Sequence, residues 1–222
     1  MIASLRVRLC LACGVVFASA GATAGGAPWS SHDYVDLYFR YYNGWVPLPH
    51  LREKESKALF SHLIDSGNIT RIEEAPIPND EKVRQLQIIL AMLGAYRAAY
   101  NSAVIVGEPL EEELTLVQAY ALQVADRVAR LLRRSPDTGG SPAVWATLVE
   151  GVVVSVGDNK LYSPEQSAIM ADAIAMYYPA IAALLPENER RHICAQVLAL
   201  GDTNSDVALH EARERMKRAV LQ

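Results

Sequence analysis

The run NDEKVRQLQIILAMLGAYRAAYNSAVIVG, residues 79–107, constrains the fold more than any other stretch. Val83, Leu86, Leu90, Leu93, Tyr100 and Val104 recur in it at the three- and four-residue spacings of an α-helix seam. After Gln87 the polar face nearly vanishes, and from Ile88 to Val106 the single charge is Arg97. A helix that is apolar almost all round is either a membrane span or the buried centre of a helical domain. The tyrosines, Asn101 and Ser102 favour the second reading, and an arginine at mid-span would cost about 2.5–3.5 kcal/mol in a bilayer centre. The stretch is therefore expected to be the central helix of an all-α bundle.

The next run gives that helix a partner. Leu110, Leu114, Val117, Ala121, Val124, Val128 and Leu131 alternate at four and three, the cleanest amphipathic pattern in the chain. Glu111, Glu112 and Glu113 stand at its start and Arg130, Arg133 and Arg134 at its end, as the helix macrodipole favours. The short Gly107-Glu108 link makes the two helices an antiparallel hairpin over 79–134.

The remaining signals are helical too. Ser30 or Ser31 caps a helix reaching to about Asn43, with Gly44 as its stop. A second helix runs from about His50 to Ser66 and ends at Gly67-Asn68. Beyond the loop 135–141, Pro142 opens an apolar helix to about Val156, although Val152-Val153-Val154 has the β-branched character of a buried strand. Ser163-Pro164-Glu165-Gln166 is a capping box, and Pro179 must kink or break the helix it starts. Shorter helices follow from Pro186 and from about Ser205. The expectation is one domain of seven or eight helices around the 79–134 hairpin.

The first 24 residues stand apart. Arg6 and Arg8 precede a short apolar run, Leu9 to Ala20, and Ala22-Thr23-Ala24 has the form of a signal-peptide cleavage site. About 12 apolar residues are too few to span a bilayer. The reading is a cleaved export signal, no stable membrane anchor, and a periplasmic or secreted domain over residues 25–222. Removing two arginines from 21 basic residues leaves 19 against 25 acidic ones, a net charge of −6. That sign argues against nucleic acid as a partner. Cys10 and Cys13 leave with the signal, so Cys194 has no internal disulfide partner. On a helix it would share an apolar side with Leu198.

No catalytic, phosphate-binding or haem-attachment signature, and no C-x-x-C pair in the mature chain, points to an enzyme or a cofactor. His62 and Asp65 could orient one another across a helix turn. Asp202-Thr203-Asn204-Ser205-Asp206 resembles the start of a calcium loop, but Val207 and Arg213 occupy the places of its glycine and its bidentate glutamate, so no metal is expected.

Two features remain. Tyr34, Tyr38, Tyr41 and Trp45, with Trp29 and Tyr42 nearby, form an aromatic stripe at helical spacing, which suits either the bundle core or a half-exposed surface for a protein partner. Arg97, Glu150 and Asp172 are lone charges in otherwise apolar helices. They are expected to meet in the core, with Arg97 paired to Glu150 in preference to Asp172, because buried unpaired charges are too costly. Two functions follow: an exported protein acting through protein–protein contact, as an inhibitor, immunity-type protein or assembly factor, or an enzyme or small-ligand binder with a polar pocket around those three charges.

Overall fold

A computed structural model of the chain describes residues 27–134, 142–201 and 206–222. The described residues form nine α-helices and no strand: α1 (Ser31–Tyr42), α2 (Lys54–Leu63), α3 (Ser66–Glu74), α4 (Asn79–Ile105), α5 (Glu111–Leu132), α6 (Pro142–Gly157), α7 (Pro164–Ala182), α8 (Glu187–Ala199) and α9 (Val207–Leu221). The export signal and most of the calcium-like run, residues 202–205, lie outside the described residues. Asp206 is described, and its carboxylate caps α9 by accepting from the Leu209 amide at 2.9 Å.

The α4/α5 hairpin is the axis of the fold. Gly107, at φ +95°, takes the left-handed conformation that ends α4. The Glu108 and Gly107 amides donate to Ala103 and Val104 at 3.0 and 2.9 Å, closing a Schellman turn. α1 and α3 pack on α4, while α7 packs on α5 and carries α6 and α9. The buried member of the hairpin is α5 rather than α4. Seventeen of the 22 residues of α5 are buried, against eight of the 27 in α4. The polar side that made α5 look amphipathic is largely buried. Gln118 donates to the Tyr162 hydroxyl at 3.2 Å, and Asp126, 2 % exposed, is held by Arg130 at 2.8 and 3.0 Å.

α4 is long and apolar enough to cross a membrane by length and composition. Its inner face, from Val83 to Val104, is nonetheless committed to the core of the bundle. Its outer face is apolar because it is built from small residues, not because it is covered.

Three other details differ from the sequence reading. Gly67-Asn68 does not end a helix but opens α3: the Asp65 carboxylate accepts from the Gly67 amide at 2.8 Å and caps it. The valine run 152–154 is helical, within α6. Pro179 does not break α7, which continues to Ala182. The Ala180 carbonyl in that final turn accepts from the Arg133 guanidinium at 3.0 Å.

Two polar anchors tie the layers together. Arg213, 5 % exposed, donates to the Val156 carbonyl at the end of α6 at 2.9 Å and to the Gly201 carbonyl beyond α8 at 2.8 Å. It thereby supplies positive charge where the dipoles of two helices end. Glu113, 3 % exposed, accepts from the Leu51 amide at 2.7 Å, and the Tyr100 hydroxyl donates to the Pro49 carbonyl at 2.5 Å. These contacts bind the connector 43–53 across the α4/α5 end of the bundle.

Candidate functional site

The aromatic stripe of α1 divides in two. Tyr34 is wholly buried, its hydroxyl donating to the Leu63 carbonyl at 2.8 Å and lying 3.2 Å from the Tyr120 hydroxyl. Asn68, also wholly buried, completes the network. It donates to the Tyr34 hydroxyl at 2.8 Å and the His62 carbonyl at 2.7 Å, and its oxygen accepts from the Trp29 amide at 2.6 Å. Burial, opposed by hydrogen bonds from Tyr120 and Asn68, raises the Tyr34 pKa strongly. These are fold contacts. They also explain why the sequon Asn68-Ile69-Thr70 is unsuited to glycosylation, since the amide is enclosed and both its hydrogens are used. His62 stacks on Trp29 at 5.5 Å instead of pairing with Asp65.

Tyr38 and Tyr41 are half-buried, and Trp45 is 69 % exposed. Trp45 leaves the stripe because α1 ends before it. Gly44 takes φ +72°, and the Trp45 amide reaches back to the Arg40 carbonyl at 2.9 Å in a second Schellman turn. The residue in that position characteristically packs back on the last turn. Trp45 does so edge-on to Phe39, with ring centroids 5.9 Å apart. The exposed row is therefore Val35, Phe39 and Tyr42 at four and three spacing, with Trp45 folded onto it. Phe39 is 56 % and Tyr42 76 % exposed. The row was legible as a second i, i+4, i+7 set beside the tyrosines, and Phe39 was the residue overlooked.

α1 runs parallel to α4. Tyr38 meets Tyr96 edge-on at 5.2 Å; one turn further, burial and then Tyr96, Glu113 and Tyr41 raise the pKa of Tyr100, and burial, Tyr38 and then Glu108 raise that of Tyr41. With 100° per residue, Val35 and Tyr42 flank Tyr38 on the side where α1 turns from α4 to solvent. Asp33, Asp36 and Arg40 lie on the far flank. The aromatic row thus borders the outer face of α4, where Ala91, Gly94, Ala98, Ser102 and Ile105 are exposed.

Arg97, Glu150 and Asp172 are not brought together. Among the described residues no ion pair within 4.0 Å joins Arg97 to either acid. Glu150 faces His192 of α8 at 3.8 Å, and Asp172 is held by Arg215 of α9 at 2.8 and 3.0 Å. The Arg97 guanidinium lies against Gly151, where an added Cβ would come within 2.6 Å of Nη1. The expected Arg97–Glu150 pair fails by one residue: α6 turns Gly151 toward α4, and Glu150 is a 100° step round the helix. All three charges are half-buried rather than in the core. Cys194 is also half-buried and free, since Leu198 beside it is 55 % exposed and faces water.

Comparison of the chain with protein-family models, with curated proteins and with solved structures finds no match. The reading of function therefore rests on the residues alone.

Proposed function

We propose that the chain is an exported protein that acts by binding another protein, as an inhibitor, immunity-type protein or assembly factor, through Phe39, Tyr42 and Trp45. The observation that carries this reading is a row of three large aromatic side chains exposed by 56, 76 and 69 % and held in place by a closed turn. With roughly 200 Å² per ring, they present about 400 Å² of largely apolar surface, the size at which patches on monomers tend to be functional. Aromatic side chains on an ordered helix also lose little conformational freedom on binding, which is why they dominate contact energies. Export is supported by the n-region, apolar run and A-x-A site at residues 6–24.

The test is capture from the secreted and periplasmic fractions of the native host. The mature chain should retain a discrete partner. A Phe39→Ser/Tyr42→Ser/Trp45→Ser variant with unchanged helical circular dichroism should lose it. Equal capture by the variant would refute the assignment of this face.

A further inference from the structure

At the seam of α4 and α6 we infer a binding site for a small carboxylate with an apolar body, anchored by Arg97. The seam lies apart from the aromatic row, and the site stands independently of the function proposed for that row.

The first observation is a charge that the fold does not use. From Ile88 to Val106 the single charged residue is Arg97. It is half-buried, yet among the described residues it makes no hydrogen bond and no ion pair. Glu150, the one acid of α6, is turned away to His192 at 3.8 Å. A guanidinium drawn partly out of water without an acceptor is a cost that no fold contact here offsets. Its planar fork of N–H groups matches the two oxygens of a carboxylate.

The second is the space around that charge. The guanidinium rests on the bare backbone of Gly151, where an added Cβ would come within 2.6 Å of Nη1 and 3.4 Å of Cζ. On α4, Gly94 precedes Arg97 by three residues and shares its side of the helix. Gly94 is exposed, and a Cβ added there meets nothing within 4 Å, so the surface beside the guanidinium is open. Asn101, four residues after Arg97 and exposed, also makes no hydrogen bond among the described residues. Its amide is a second donor one turn away.

The third is the chemistry of the borders, which selects the ligand. Leu148 and Val154 stand one turn to either side of Gly151 on α6, half-buried and 63 % exposed, and Ala98 is exposed on α4. One cation among uncharged, largely apolar neighbours suits one carboxylate on a hydrocarbon body, because few polar groups set in an apolar lining fix such ligands. A polyanion would leave its further charges unmatched.

Calorimetric titration of the mature chain with octanoate as the probe tests the site. Octanoate should saturate at one per chain. Octanol, which lacks the charge, and acetate, which lacks the chain, should each bind at least tenfold more weakly. Arg97→Met should weaken octanoate binding about tenfold or more, the worth of one charge-assisted hydrogen bond. Gly94→Leu, which fills the open surface without touching the charge, should weaken it as well, and both variants should keep the helical circular dichroism of the parent. The Phe39→Ser/Tyr42→Ser/Trp45→Ser variant should bind octanoate as the parent does. No saturation at millimolar octanoate, equal binding of octanol, or binding that Arg97→Met leaves unchanged would overturn the inference. Loss of binding in the aromatic variant would place the octanoate on the row of α1 and overturn it too, leaving the proposed function standing.

Discussion

Replacing Asn68 by alanine should be among the most damaging single changes in the N-terminal half of the fold. Three hydrogen bonds disappear, to the Trp29 amide, the Tyr34 hydroxyl and the His62 carbonyl. At a net value of about 1 kcal/mol each the loss is about 3 kcal/mol. Tyr34 is not stranded, because Leu63 and Tyr120 still hold its hydroxyl. The Trp29 amide and the His62 carbonyl lose a partner beside a buried side chain, which raises the total to about 3–5 kcal/mol. That is a large part of the about 5–15 kcal/mol that keeps a domain folded. Equilibrium unfolding in urea should show the midpoint falling by about 1.5–2.5 M at unchanged slope, taking about 2 kcal/mol/M for that slope. Asn68→Asp, which keeps an oxygen for Trp29 but has no donor for His62, should be comparably unstable at neutral pH and recover partly on acidification. A loss below about 1 kcal/mol for Asn68→Ala would refute the network as a structural anchor.

Other expectations can be checked in the same way. Arg213→Met should cost about 2–4 kcal/mol in urea unfolding, because two helix-end carbonyls lose a charged donor, and Arg213→Lys should recover part of it. Gly44→Ala forces an alanine to φ +72°, at a cost of about 1–2 kcal/mol, and should weaken partner capture along with stability by loosening Trp45 from Phe39. Burial raises the pKa of Tyr34, Tyr96, Tyr100 and Tyr120 above the ordinary value of 10.0, so their contribution is intact below that pH and lost as pH rises beyond it. Stability should fall on the alkaline side, with tyrosine ionisation at 295 nm appearing together with loss of helical signal. Arg97→Ala, which leaves no carboxylate stranded, should cost about 1 kcal/mol or less, far below the effect of breaking a buried pair.

The helical class and the 79–134 hairpin were legible because 3.6-residue periodicity and the glycine stops are local properties. Which helix is buried was not. An apolar circumference made of alanine and glycine looks like a core helix, yet in α4 it is partly solvent-facing. The glutamines and Asp126 of α5 look like a solvated face, yet Gln118, Gln123 and Asp126 are buried, Gln118 donating to Tyr162 and Asp126 held by Arg130. α3 was missed because Gly67-Asn68 serves a helix start as readily as a helix end, and only the Asp65 cap distinguishes the two. For the site, the stripe was readable either as core or as a contact surface, and the structure divides it: Trp45 is exposed while Tyr34 is core. The difference lies in Gly44, whose left-handed turn moves Trp45 off the tyrosine stripe and onto the row of Phe39. Spacing alone does not carry past such a turn. The separation of Arg97 from Glu150 is of the same kind, one residue of helix rotation that no pattern in either helix reveals.

Site-specific photo-crosslinking puts the aromatic face to the test. A photoreactive benzoyl-phenylalanine is placed at position 42 and, in a second protein, at position 154 of α6, where Val154 is similarly exposed at 63 % but on another helix. In the native exported fraction, position 42 should yield one discrete adduct that excess unlabelled mature chain suppresses and the Phe39→Ser/Tyr42→Ser/Trp45→Ser variant does not, and position 154 should yield none. Equal adducts at both positions, or none at position 42, would contradict the assignment of Phe39, Tyr42 and Trp45 as the working surface of this protein.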